Sequence, residues 1–540
     1  MIFSSPLFFV FYILVFFIYW YGIPLFFNET SRKSAKHIFL LVVSYIFYMT
    51  WDWRFGSLIL ISTIIDYFAG LLLEKFLNRD SRIKTLILIT SISVNLGILG
   101  FFKYADFFID SFIQTVNSLA PETFSPSERD SLLLNVLLPL GISFFTFQSM
   151  SYTIDVYRRV IPTEKNFFRF ALFVSFFPQL VAGPIVVAKD FLPQLNEEPA
   201  FDNRRMLEAA RWFMLGFLKK SAIADNMSVV VDQIYAYPEF YGMTVHWLGA
   251  AAFCVQIYCD FSGYTDMAWG AALGLGYRLP VNFNMPYKST TITGFWQRWH
   301  ISLIKWIRDY LYIPLGGNRV SNFRHKFNIF ITMFLAGLWH GANWTFVFWG
   351  ATQGAVMVIE NIISAVTKNR KTSELKSDSE WIGESFAKNN RLLKLCIVLL
   401  NQFLIKMKVY RTQIASIPGF APGFRYSKNL LFFSYTIFLT MISATIFRAS
   451  NIEDFFLIFT RMFALDDFPN SIPPVSMYRT VFWGILALVI GHILGHFIFE
   501  KKKFQWNVHP AFEIAAAPIL ILILTQISAS DVEAFVYFVF

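Results

Sequence analysis

Residues Leu335 to Gly350 read LAGLWHGANWTFVFWG, and they place one ionisable side chain, His340, in a stretch that is otherwise apolar, aromatic and small. If this stretch lies inside a membrane, an ionisable group there is costly, and a functional site is its default explanation. Whether it does is settled by the rest of the chain. Of 540 residues, 56% are hydrophobic, 19% aromatic and only 15% charged, where a soluble domain carries about 25% charge. Mean hydropathy is clearly positive. No long polar block exists to build a soluble domain. The chain therefore reads as one all-α, polytopic integral-membrane domain over residues 1–540.

Apolar runs long enough to cross or nearly cross a core of about 30 Å lie near 6–27, 38–51, 55–73, 85–102, 132–152, 167–187, 246–276, 327–363, 429–447, 479–499 and 511–527. The runs 246–276 and 327–363 are long enough for a helical pair each. Segments 208–232, 295–315 and 392–405 are apolar but studded with charge, which suits interfacial or re-entrant helices. Pro6 to Phe27 is too long for a signal-peptide core and lacks a basic leader, so it reads as a retained span.

The net charge of +10 does not indicate nucleic acid, because the cations sit in short loops between apolar runs. Loops at 28–37, 74–84, 157–166, 319–326, 406–428 and 500–503 are basic, and 103–131 and 449–470 lean acidic. With the basic set in the cytoplasm, alternation works for the first six and last three spans and puts both termini outside. His340 then lies 14 residues beyond Lys326, about 21 Å along a helix, past the midplane toward the outer leaflet. Gly337 and Gly341 flank it, so a backbone or a substrate can approach closely. The plainer reading is a neutral histidine hydrogen-bonded inside a bundle.

Residues 294–319, GFWQRWHISLIKWIRDYLYIPLGGNR, interleave Arg298, Lys305, Arg308 and Asp309 with Trp296, Trp299, Trp306 and Tyr310. Such a segment suits the cytoplasmic interface. It is either an anchor or an entry platform where Arg298, Arg308, Arg319 and Trp299 meet an anionic donor. GGN is a helix C-cap or a phosphate-facing turn. In QIYCDFSGYTDMAWG, residues 256–270, Gln256 and Asp260 share a helix face, and Asp266 follows an expected break at Gly263. Intramembrane carboxylates need partners, and an ion pair of Asp260 with Arg298 is expected. Asn343 is a further polar candidate beside His340. FPQLVAGPI, residues 177–185, should break its helix and line a cavity. Asn282 and Asn284 in VNFNMPY read as turn residues. His492 and His496 have i,i+4 spacing, but no carboxylate or cysteine joins them, so packing is expected rather than metal. Cys254, Cys259 and Cys396 show neither zinc spacing nor a disulfide framework.

These blocks, with FRASNIEDF, together resemble the membrane-bound O-acyltransferase (MBOAT) family, in its bacterial alginate O-acetylation-like subgroup. They run in family order from about residue 177 to 458, within a motif-bearing core of about 130–460 followed by C-terminal helices and an aromatic tail at 479–540. The resemblance implies a bundle of roughly 11–12 transmembrane helices around a central tunnel. It implies that His340 is catalytic and that His300, in RWHIS, is a second important polar residue. It further implies an extracytoplasmic hydrolase-like partner, a polysaccharide acceptor, acetyl-CoA or an acyl carrier as donor, no resident cofactor, and a bacterial inner-membrane location. His340 would serve as general base on the acceptor hydroxyl; the residues leave an acyl-histidine open. D-Alanyl transfer to teichoic acid from a carrier protein is the alternative within the class. A transporter or glycan exporter is the alternative outside it, although no internal repeat of the transporter kind is found. The tail ends FVYFVF and should fold back into the outer leaflet. Tyr537 there is an aromatic-belt anchor or an acyl relay through an aryl ester.

Overall fold

The computed structural model describes residues 1–76, 81–121, 123–373, 421–464 and 474–497. Among them the chain is helical, with no strand. Six helices are long and apolar enough to cross a membrane: Pro6–Phe26, Trp53–Lys75, Ser81–Leu119, Trp344–Ala365, Leu430–Arg448 and Val475–Gly495. Half or less of each of these spans is buried in the protein, and the remaining apolar surface suits lipid. The eleven apolar runs are not all counted among these six, for a physical reason. Inner elements carry polar residues that meet one another rather than lipid. In Ile142–Tyr157, every residue from Ile142 to Val156 is buried, including Gln148, Ser149, Ser151, Thr153 and Asp155. The architecture is thus an all-α, multi-pass membrane bundle with a polar interior.

We label the elements used below α1 (Pro6–Phe17), α2 (Glu29–Met49), α3 (Gly56–Lys75), α4 (Ser81–Leu119), α5 (Ile142–Tyr157), α6 (Phe167–Ser175), α7 (Asn203–Phe217), α8 (Asp225–Ala236), α9 (Met243–Gly274), α10 (Ile292–Trp296), α11 (Ile301–Ile307), α12 (Asn322–His340), α13 (Trp344–Ser373), α14 (Ala421–Arg448), α15 (Ile452–Arg461) and α16 (Val475–Gly495).

Several expectations change. The run 246–276 is one helix, α9, not a pair, and Gly263 does not break it. A Cβ on Gly263 would lie 2.7 Å from the Gly216 carbonyl oxygen, and one on Gly270 2.6 Å from that of Ala209. These small residues let α7 and α9 touch backbone to backbone. Segment 208–232 continues from α7 through a π-helical stretch, Leu218–Ala224, into α8, all packed on α9. Three of its charges face inward: Lys219 pairs with Asp266 at 2.6 Å, and Lys220 bridges Asp260 at 2.7 Å and Asp225 at 2.8 Å. The run 327–363 does form a pair, α12 and α13. The acidic segment 103–131 begins as helix, since α4 runs on to Leu119. The run 132–152 starts extended and becomes helical only at Ile142. The FPQLVAGPI block breaks as expected, with α6 ending before a single turn at Phe177–Leu180. Segment 392–405, the span 511–527 and the tail with Tyr537 lie outside the described residues.

Candidate active site

α12 starts at Ser321, whose hydroxyl accepts from the Arg324 N–H at 3.4 Å, and ends at His340, where Gly341 turns extended. Asn343 starts α13: its Oδ1 accepts from the Thr345 N–H at 2.9 Å, while its Nδ2 donates to the Ser450 carbonyl at 3.1 Å. Asn343 is thus a cap that ties the hairpin turn down, and it lines neither cavity described below. The helices cross where Gly337 meets Gly350. A Cβ on Gly337 would lie 2.7 Å from the Gly350 Cα and would also strike the Phe346 carbonyl oxygen. The close approach anticipated beside His340 is made by α13. His340 is 4% exposed. The rings of Trp339 and Trp349 lie 5.0 Å from its own, and that of Phe447 5.4 Å.

The last carbonyls of a helix lack intrahelical donors, and α4 supplies them. Lys103 Nζ donates to the Trp339 and His340 carbonyls at 2.6 and 3.1 Å, and the Tyr104 hydroxyl to that of Leu338 at 2.8 Å. An ammonium at a helix C-terminus also complements the helix dipole. One turn further along α4, Asp106 accepts from the backbone N–H groups of Leu134 (2.7 Å) and Val136 (3.3 Å), fixing the extended segment before α5. Lys103 was missed in the sequence reading. Its signal was a lone cation in the apolar text ILGFFKYADFF.

His300 lies between α10 and α11 with a left-handed backbone, φ +46°, a conformation that costs a non-glycine residue about 1–2 kcal/mol. It breaks the single interfacial helix expected over 295–315. The side chain is fully buried. Its Nδ1 lies 3.3 Å from Asn282 Oδ1, which also accepts from the Ser302 N–H at 3.1 Å and the Ser302 hydroxyl at 2.9 Å. A backbone N–H can only donate, so this Asn282 atom is the oxygen. Nδ1 of His300 then carries the proton, and Nε2 presents a lone pair. No hydrogen-bond partner for Nε2 occurs among the described residues. Asn282, read as a turn residue, is the residue that orients His300. Trp339 joins the two histidines, its ring lying 6.1 Å from that of His300 and 5.0 Å from that of His340.

Two cavities meet at His340. The first, about 50 Å³, is walled by Phe295, Trp296, Trp299, Trp349, Ser443 and Phe447 among others. The second, about 190 Å³, is walled by Trp51, Lys103, Leu138, Pro139, Phe144 and Val181 among others. His340 is common to both linings. In the first, the Trp296 indole donates to Gln353 Oε1 at 3.2 Å, and Gln353 Nε2 and the Trp349 indole donate to Ser443 Oγ at 2.9 and 2.8 Å. Glu360 holds α10 in place, accepting from the N–H groups of Ile292 (2.6 Å) and Thr293 (2.9 Å).

Of the other sequence candidates, Trp299 lines the first cavity. Gln256 is buried on α9 but is not part of that lining. Asp260 pairs with Lys220, not with Arg298, and Asp266 with Lys219. Arg298 instead donates to the Asn284 carbonyl at 3.1 Å. Arg308 sits beside Asp309 at 2.8 Å on an exposed surface. Arg319 is exposed at the end of the GGN turn. That turn caps a helix, since the Gly317 N–H donates to the Tyr312 carbonyl at 3.0 Å. His492 lies 3.0 Å from the Leu488 carbonyl oxygen and packs on Tyr258 at 5.0 Å. No cluster of metal-binding side chains occurs among the described residues.

A model of the membrane-bound O-acyltransferase family matches residues 38–380. A Pseudomonas aeruginosa protein named a probable alginate O-acetylase is 42% identical over 376 residues, 70% of this chain and 69% of that protein. A Helicobacter pylori peptidoglycan O-acetyltransferase is 36% identical over 61% of this chain and 65% of its own length. A Streptococcus thermophilus teichoic acid D-alanyltransferase is 29% identical over 51% and 70% respectively.

Proposed function

The chain belongs to the membrane-bound O-acyltransferase family and is a multi-pass O-acyltransferase, and from that premise we propose that it moves an acetyl group from cytoplasmic acetyl-CoA to an extracytoplasmic polysaccharide through a hydrolase-like partner. The observation that carries this reading is the place of His340 at the junction of two cavities. The first lies beside the segment 287–299 that leads into the basic platform, and takes the thioester. The second lies beside Trp51 and the 137–144 segment, and takes the acceptor hydroxyl. With basic loops inside, these are the cytoplasmic and outer sides.

His340 removes the proton as the acceptor oxygen attacks the thioester carbonyl carbon. A C–O bond forms, the C–S bond breaks, and the proton passes to the departing sulfur. His300, held as the Nδ1–H tautomer by Asn282, supplies a second basic nitrogen close by. The donor's phosphates stay at the mouth, where Arg298, Arg308 and Arg319 supply positive charge. A cavity of about 50 Å³ has room for a few water-sized groups, which suits an acetyl thioester. D-Alanyl transfer fits less well. The first cavity's lining holds no acidic side chain, and an ammonium would enter it without a counter-charge, at a cost of several kcal/mol. The exporter alternative yields to the chemistry of the family.

The test uses sealed vesicles carrying the protein in each orientation, supplied with acetyl-CoA outside. Inside-out vesicles should consume acetyl-CoA and right-side-out ones should not. His340→Ala should lower the rate by at least about 10²-fold while leaving insertion intact. Full turnover by well-inserted His340→Ala, or equal rates from both faces, would overturn the assignment.

A further inference from the structure

The hydroxyl of Ser443, on α14, is met by two groups that donate to it. The Trp349 indole N–H has no acceptor capacity, and it lies 2.8 Å from Ser443 Oγ. Gln353 could in principle face the serine with either end of its amide. Its other end lies 3.2 Å from the Trp296 indole N–H, which demands an oxygen there, so the NH₂ is the end that meets Ser443, at 2.9 Å. Both acceptor positions of the serine oxygen are therefore filled. A hydroxyl has one proton of its own, and that proton has no acceptor among the hydrogen bonds of the described residues. Helical serines often donate back to the carbonyl four residues earlier, but Ser443 makes no such bond, unlike Thr436 and Thr440 on the same helix, which do. Ser443 lines the first cavity together with His340, and the Trp349 ring that holds it packs edge-on against the His340 ring at 5.0 Å.

We propose that the Ser443 hydroxyl donates to the carbonyl oxygen of the acyl thioester and stabilises the oxyanion formed when the acceptor attacks. This rests on the donor reading above. As the C–O bond forms, the carbonyl π electrons move onto oxygen, and the Ser443 proton stays on serine while bonding to that oxygen. Collapse then returns the electrons and expels the thiolate, which takes the proton carried by His340. Two N–H donors on Ser443 Oγ polarise its O–H bond, and both are fixed before substrate arrives. A preorganised donor of this kind acts more strongly on the developing charge than on the ground state.

The experiment pairs kinetics with a direct probe of the carbonyl. Ser443→Ala should lower kcat about 10²-fold, with the acetyl-CoA KM changed by less than about threefold. In the His340→Ala background, where turnover is blocked, acetyl-CoA labelled with ¹³C at the carbonyl is bound to the detergent-solubilised protein and its C=O stretch recorded by isotope-edited infrared spectroscopy. The band should lie lower with serine or with Ser443→Thr than with Ser443→Ala. An unchanged kcat, or one band position for serine and alanine, overturns the proposal and leaves Ser443 as a tether for Trp349 and Gln353. If no bound band forms in any of these proteins, the acetyl-CoA reading itself fails, and this assignment with it.

Discussion

Gly337→Ala tests whether the α12–α13 crossing sets the position of the base. A new Cβ would stand 2.7 Å from the Gly350 Cα, where ordinary contact begins at 3.4 Å, and closer still to the Phe346 carbonyl oxygen, so the helices must separate by at least about 0.7 Å at that point. The obstacle is backbone, so no rotamer change relieves it. His340 lies three residues on, in the last turn of α12, and moves with the helix. Displacing a catalytic group by about 1 Å costs roughly 10²-fold, so activity should fall about 10- to 100-fold. Helix propensity acts the other way, since alanine favours a helix over glycine by about 1 kcal/mol. The control is Gly491→Ala on α16, where a Cβ meets nothing within 4 Å and activity should persist. The assay is acetyl-CoA turnover by purified protein, with melting in detergent measured alongside. Gly337→Ala with more than half of wild-type turnover would refute the argument that this crossing positions His340.

Asn282→Leu removes the acceptor that orients His300 and strands the Ser302 N–H. Turnover should drop about tenfold or more, and Asn282→Asp, which keeps the oxygen, should restore much of it; equal rates in Leu and wild type would dismiss the orienting role. Lys220→Met strips the cation shared by buried Asp225 and Asp260 and should cost about 3–5 kcal/mol of stability, read as a lower Tm in detergent. Adding Asp225→Asn and Asp260→Asn should recover part of that loss, and an unchanged Tm in Lys220→Met would show the triad to be of little consequence.

The membrane class, the α12–α13 pair and the burial of His340 among aromatic rings were legible because each depends on local text: a run of apolar residues, two small residues around a turn, one ionisable group in an apolar stretch. Asp260 was misassigned to Arg298 because the cationic platform is the most conspicuous feature of the sequence. Its true partner, Lys220, is brought inward by a π-helical stretch, and hydropathy does not register such a stretch. Gly263 read as a break because glycine weakens an isolated helix, but in a bundle it also lets two helices touch. Asn282 and Lys103 escaped notice as orienting groups because their partners are backbone atoms and a distant histidine, and no periodicity in the chain encodes such pairings. The polar inner helices fell below the hydropathy of a free span for the same reason: their hydrogen-bond partners lie on other helices.

α4 holds two things at once. Lys103 grips the end of α12 at His340, and Asp106 grips the backbone of Leu134 and Val136, just ahead of the Leu137 and Leu138 that wall the second cavity. The two grips are three residues apart on one continuous helix, about 4.5 Å of rise. The cavity wall and the end of α12 therefore share a rod: a chain that pressed the 137–138 wall outward would draw on α4, and α4 would draw on the backbone carbonyl of His340.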